Sequence, residues 1–133
     1  MGEKLAALGA EKFVALTTFK RSGEAVSTPM WVAVDGDRLA FWTPSDSWKV
    51  KRARRDPRVT VAPCSRMGSV AAGVYPVSGR AEVLDGDADV RRVRAAIKRK
   101  YGLVFSVVTI VERIMRRGRE DRTALLVDLD AGP

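Results

Sequence analysis

Turn signals cut most of this chain into segments that suit strands better than helices. Arg21-Ser22-Gly23-Glu24, Asp35-Gly36-Asp37, Asp56-Pro57 and Asp85-Gly86-Asp87 each place glycine, proline or a short polar side chain where a backbone must reverse. Between them lie runs rich in β-branched and aromatic residues, at 13–19, 25–34, 39–43 and 58–62. The Gly36 turn reads as a hairpin, so the first three runs are expected as consecutive antiparallel strands. Residues 70–84 read as one or two further strands bent near Pro76 and Gly79, and 122–129 reads as the last strand.

The helical signals are short. Residues 3–8 form one candidate, and Ser45 or Ser47 can cap a second that runs to Arg55. Asp56-Pro57 ends it, because a residue before proline is pushed out of the helical region. Asp87 or Asp89 can cap a helix over 90–100, where Val90, Val93, Ala96 and Ile97 recur at spacings of three and four. Gly102 interrupts that pattern. A further helix over 103–115 follows, apolar at Val104, Val107, Val108, Val111, Ile114 and Met115. Many antiparallel strands with short helical inserts predict a mainly β (α+β) fold closed, or nearly closed, into a barrel, since closure removes exposed strand edges. The chain's 133 residues are expected to make one domain, 1–133.

The chain contains no histidine, which excludes a Ser-His-Asp triad, a Cys-His pair and any imidazole-ligated zinc or haem. Cys64 is the only cysteine, so neither an internal disulfide nor a multi-cysteine metal site can form, and no metal is expected. Residues 1–12 lack the apolar core of a secretory signal, and the longest apolar-rich stretch, 103–111, falls short of the roughly 20 residues a spanning helix needs. A cytoplasmic location is expected. No glycine-rich phosphate loop is present, and the paired aspartates fall in turns.

The formal charge is +8, and 17 of the 24 basic residues fall in three clusters. Lys49, Lys51, Arg52, Arg54, Arg55 and Arg58 form the first. Arg91, Arg92, Arg94, Lys98, Arg99 and Lys100 form the second, and Arg113, Arg116, Arg117, Arg119 and Arg122 the third. Such clusters suit a polyanionic partner. The second is expected to be the solvated face of its helix. A nucleic-acid-binding barrel would use exposed aromatics interleaved with the cations, but aromatics are only 7% of the chain and mostly in strand patterns, so no nucleic-acid partner is expected.

The most informative stretch runs from Thr43 to Arg58. Hydroxyls at Thr43, Ser45 and Ser47 lead into a helix start whose free N–H groups attract anions, and Lys49 and Lys51 add full charges there. Helix starts ordinarily favour Asp and Glu, so lysines there call for another reason, which a bound phosphate supplies. An ordinary capped basic helix fits the same residues.

Strand, hairpin, strand ending in Thr43, then Ser47-Trp48-Lys49-Val50-Lys51 and Arg54-Arg55-Asp56-Pro57-Arg58 resembles the split β-barrel flavin and deazaflavin oxidoreductases related to pyridoxamine 5′-phosphate oxidase. The resemblance is strongest over residues 11–84 and covers the later elements in order only. It implies a six-stranded antiparallel Greek-key split barrel that forms a homodimer, with the cofactor in a groove between subunits. It places Lys49 and Ser47 on the cofactor phosphate and Thr43 at the strand end beside them. Thr28, Met30 and Trp31 would line the ring, with Trp42 as a further candidate. Trp48 and Lys51 belong to the same segment, and Trp48 departs from the arginine or small residue often found there.

The same resemblance implies a hydride transfer between a reduced cofactor and an electron-poor small-molecule substrate. Ser27-Thr28-Pro29-Met30-Trp31 lacks the basic residues of the FMN-binding oxidases. The pattern is closer to the members that use the deazaflavin coenzyme F420, whose acidic tail suits an arginine-rich rim. FMN is the alternative, as is a non-catalytic flavin or tetrapyrrole carrier. No catalytic residue is assigned; Tyr75 is a candidate proton donor, though expected to be a buried structural residue.

Overall fold

The computed structural model describes residues 2–115 and 122–130, so Arg116, Arg117 and Arg119 of the third basic cluster lie outside the described residues. Helix α1 (Gly2–Gly9) leads into a hairpin of β1 (Val14–Phe19) and β2 (Ala25–Met30), then a second of β3 (Ala33–Asp35) and β4 (Arg38–Pro44). Helix α2 (Trp48–Arg55) returns the chain to β5 (Arg58–Pro63). Then come β6 (Val77–Leu84), the consecutive helices α3 (Asp87–Tyr101) and α4 (Leu103–Met115), and β7 (Arg122–Leu129).

All seven strands join one sheet in the order β2-β1-β5-β6-β7-β4-β3, and every pairing is antiparallel. The two edge strands, β2 and β3, are consecutive in the chain. The sheet therefore curls until its edges meet at Trp31-Val32, which makes a split barrel. Sequence reasoning expected one strand over 25–34; the backbone breaks it at this seam, which accounts for seven strands in place of six. Residues 70–76, expected as strand, lie in the loop between β5 and β6. Gly68 and Gly73 adopt φ of 92° and 83° there, outside the extended region, and Pro76 offers no ladder donor.

The strand period of two sorts side chains between two cores. Val14, Leu16, Leu39, Phe41, Val59, Val61, Leu125 and Val127 point inward and fill the barrel, joined by Ala53 of α2. Ala40, Ala124 and Leu126 point outward from β4 and β7 against Val93 and Ile97 of α3 and Phe105 of α4. β4 and β7 are thus covered on both faces, which is why they read as nearly continuous apolar runs.

Gly79 sits where β6 crosses β7. A Cβ there would stand 2.7 Å from the Asp128 carbonyl oxygen and 3.0 Å from the Val127 side chain. The first of these is backbone held in the ladder through the Gly79–Leu129 register. Gly79→Ala should therefore cost about 1–3 kcal/mol of stability through overpacking. Thermal unfolding should show a midpoint several degrees lower.

Candidate functional site

The junction from β4 into α2 is built from Thr43 to Arg55. β4 delivers Thr43 to the barrel end, where it is buried with its Oγ1 unbonded. Ser47 is the N-cap of α2 and makes no side-chain capping bond; its Oγ is buried and without a partner. A cap position with an idle hydroxyl is unusual, because that oxygen normally takes an orphan N–H of the first turn. Val50 and Ala53 anchor α2 in the barrel end, and Lys49 stands on its first turn.

Lys49 is half-buried, and among the described residues its ammonium has no hydrogen bond or ion pair. Burial, and then the neighbouring Arg52 charge, lower its pKa from the ordinary 10.5. Arg52 itself is held by Thr18, Nε to Oγ1 at 2.8 Å. Two idle hydroxyls and an unpaired, partly desolvated cation on one junction are a candidate cradle for an anion with several acceptor oxygens. Thr43, Ser47 and Lys49 all belong to this one strand–helix junction.

The other expected residues disperse. Trp48 is 68% exposed, and Lys51 lies over its ring with Nζ 4.5 Å from the centroid. Together with Lys20, Arg21, Arg52 and Arg55 they line a separate basic groove of about 730 Å³. Thr28 is half-buried on β2, while Met30 turns into the barrel core. Trp31 lies outside the barrel, stacked on Tyr101 at 4.5 Å and 12°. Tyr75 is 87% exposed, against the expectation that it is buried.

Helix α3 holds three cations that were expected on a solvated face, and at its end Tyr101 joins one of them. Lys100 donates to the carbonyls of Gly9, Glu11 and Val32, at 2.7, 2.5 and 2.7 Å. Tyr101 accepts from the Val32 N–H at 3.0 Å and donates to the Lys12 carbonyl at 2.8 Å. Arg92 grips Asp35 and Asp89, and Arg94 lies over Phe105 and Trp42 at 5.2 and 5.9 Å. These three cations of the second cluster are engaged by the fold. A Lys-Tyr pair just before a helix-ending glycine was the available signal, but its partners are about 70 to 90 residues away in sequence.

The ladder order, the outer helices and the helix-capped barrel end define a split β-barrel. The chain belongs to the pyridoxamine 5′-phosphate oxidase family, whose sequence profile matches residues 1–131. Its fold is similar to that of an F420 reductase, 17% identical with a TM-score of 0.62 over 94% of this chain and 92% of that one. It is also similar to a heme storage protein from Vibrio cholerae, 10% identical with a TM-score of 0.69 over 98% and 90% of the two chains. A third likeness is to a conserved hypothetical protein from Mycobacterium tuberculosis, 23% identical with a TM-score of 0.67 over 94% and 77%. No curated protein matches the sequence. No helix among the described residues is long and apolar enough to cross a membrane.

Lys100→Met should leave the fully buried Val32 carbonyl short of a donor and free α3 from α1. The expected cost is about 1–3 kcal/mol, whereas Arg99→Met on the exposed side should stay within about 0.5 kcal/mol. Urea unfolding of the two variants side by side checks the contrast.

Proposed function

We propose that this protein is an oxidoreductase that binds coenzyme F420 and transfers a hydride between its reduced ring and an electron-poor small molecule, as a single cofactor-binding domain. The observation that carries the reading is the candidate cradle at the head of α2: two buried hydroxyls without partners, Thr43 and Ser47, on the same junction as the unpaired Lys49. The cofactor supplies the redox chemistry; the protein's part is to bind and orient it. Ser47 and Lys49 would hold its phosphate, and Thr28 with Trp31 would limit water beside the ring. Met30 supports that wall from inside the barrel rather than forming its surface.

F420 is favoured over FMN because β2 presents no cation. Its Ser27 hydroxyl is instead bonded to Thr17 Oγ1 at 2.6 Å. The F420 reductase among the similar folds supports the same choice. A carrier of flavin or tetrapyrrole would use the same cradle without a substrate, and the heme storage protein among the similar folds keeps that reading open. With no histidine, imidazole ligation of haem is excluded here.

Lys49→Ala should weaken F420 binding about tenfold to a hundredfold, since a hydrogen bond to a charged group contributes roughly 1.5–3 kcal/mol. Arg99→Ala is the charge-matched control, and equal losses in both would show that diffuse surface charge does the work. Phosphate binding favours the ammonium form, so affinity should hold below the lysine's pKa and fall as pH rises through it. Because that pKa is lowered, the fall should begin at lower pH than for an exposed lysine. Lys49→Arg should move it upward. Fluorescence titration of the cofactor measures all three variants.

The assembly proposed is a homodimer. α4 exposes Val104, Val107, Ile110, Val111 and Ile114, each at least half accessible, an apolar surface unusual for a monomer. Sedimentation should show a dimer at micromolar concentration, and Ile114→Lys should shift it toward monomer.

A further inference from the structure

A cleft of about 810 Å³ opens between α3, α4 and the outer ends of β4 and β7, within the usual size of a small-molecule site. Neither Ser47 nor Lys49 lines it. Five cationic side chains face it against two carboxylates. One of those, Asp85, is already held by Arg54 at 2.6 Å and Thr123 at 2.8 Å.

Three of the cations, Arg91, Arg94 and Lys98, stand at i, i+3 and i+7 on one stripe of α3. None has an ion pair among the described residues. Like charges at this spacing repel one another, so the stripe is unfavourable unless something anionic faces it.

The floor supplies an independent observation. Arg122 has a side chain only 8% exposed; one arm of its guanidinium is bound by Glu112, while Nη1 is buried with no acceptor. Trp42 Nε1 is likewise buried with no acceptor. Both residues line the cleft, and two buried donors without partners are costly to keep. Flat surfaces dominate the same region. The Trp42 and Phe105 rings lie 5.4 Å apart, with the Arg122 guanidinium 4.6 Å over Trp42 and that of Arg94 5.2 Å over Phe105. A guanidinium stacked on one ring offers its other face to a second flat π system.

We propose that this cleft binds a planar aromatic molecule carrying at least two acidic groups, at a site separate from the α2 cradle. One acidic group pairs with the Arg91, Arg94 and Lys98 stripe. The other accepts from Arg122 Nη1 and Trp42 Nε1, and the ring lies against the stacked guanidinium and aromatic planes.

Pyranine, a flat pyrene trisulfonate, is a suitable probe, followed by its fluorescence anisotropy on the full chain. The expected result is saturable binding at one site per chain. It should weaken at least tenfold in Arg94→Ala and in Arg91→Ala, with no change in Arg99→Ala or Lys49→Ala. Arg122→Gln should weaken it too, but its buried side chain makes the exposed Arg94→Ala the deciding variant if Arg122→Gln unfolds. Neutral pyrenemethanol and inorganic sulfate should each bind far more weakly than pyranine. Equal pyranine binding by the wild type, Arg94→Ala and Arg91→Ala would overturn the proposal. Competition between pyranine and F420, with F420 affinity falling in Arg94→Ala, would overturn the separateness of the two sites. If F420 does not bind at all while pyranine behaves as expected, the cofactor reading fails and this one stands.

Discussion

The backbone of Val32 has no strand to pair with. It lies at the seam where the sheet's two edges meet, and its side chain is fully buried, so neither water nor a ladder neighbour is available to its N–H and C=O. Buried backbone groups must be satisfied. Here the solution comes from the far end of α3, where the Tyr101 hydroxyl takes the N–H and the Lys100 ammonium serves the carbonyl. The seam, the seating of α3 on the outer face of β4 and β7, and the stacking of Trp31 under Tyr101 follow from that one requirement.

The positive charge divides by use. Some cations are spent inside the fold: Lys100 on three carbonyls, Arg92 on two aspartates, Arg52 on Thr18 and Arg54 on Asp85. Others have no ion pair among the described residues: Lys49 at the head of α2, and Arg91, Arg94 and Lys98 along the cleft that also holds Trp42 and Arg122, with Arg94 lying over aromatic rings. A basic chain of this kind is therefore not uniformly attractive to anions, because a good part of its positive charge is already answered within the fold.

Much of this architecture was legible in the sequence because strand and turn chemistry are local. Asp35-Gly36-Asp37 specified its hairpin, the alternation over 58–62 specified β5, and Asp56-Pro57 specified the end of α2. The head of α2 was legible for the same reason, as serine and lysine positions are read within one turn. Dispersal of the other candidates was not. Met30 turns inward because it stands opposite Val14 in the β1–β2 register, which the sequence does not give on its own. Trp31, Lys100 and Tyr101 meet only once α3 lies across the seam, and the Trp42–Arg122 floor joins strands about 80 residues apart. The N-cap of α3 also moved, to Gly86, leaving Asp87 and Asp89 in the first turn where their charge suits the helix dipole.

A sheet that stops short of hydrogen-bonded closure keeps two open rims, and an open rim is a template on which another chain can add a strand. Both rims are blunted here. β3 is only three residues long, too short to nucleate a stable pairing. β2 carries Pro29, which has no N–H to offer, and the loop after β5 brings Gly68 against the proline ring. The fold can thus tolerate an unsealed seam without inviting strand-mediated aggregation.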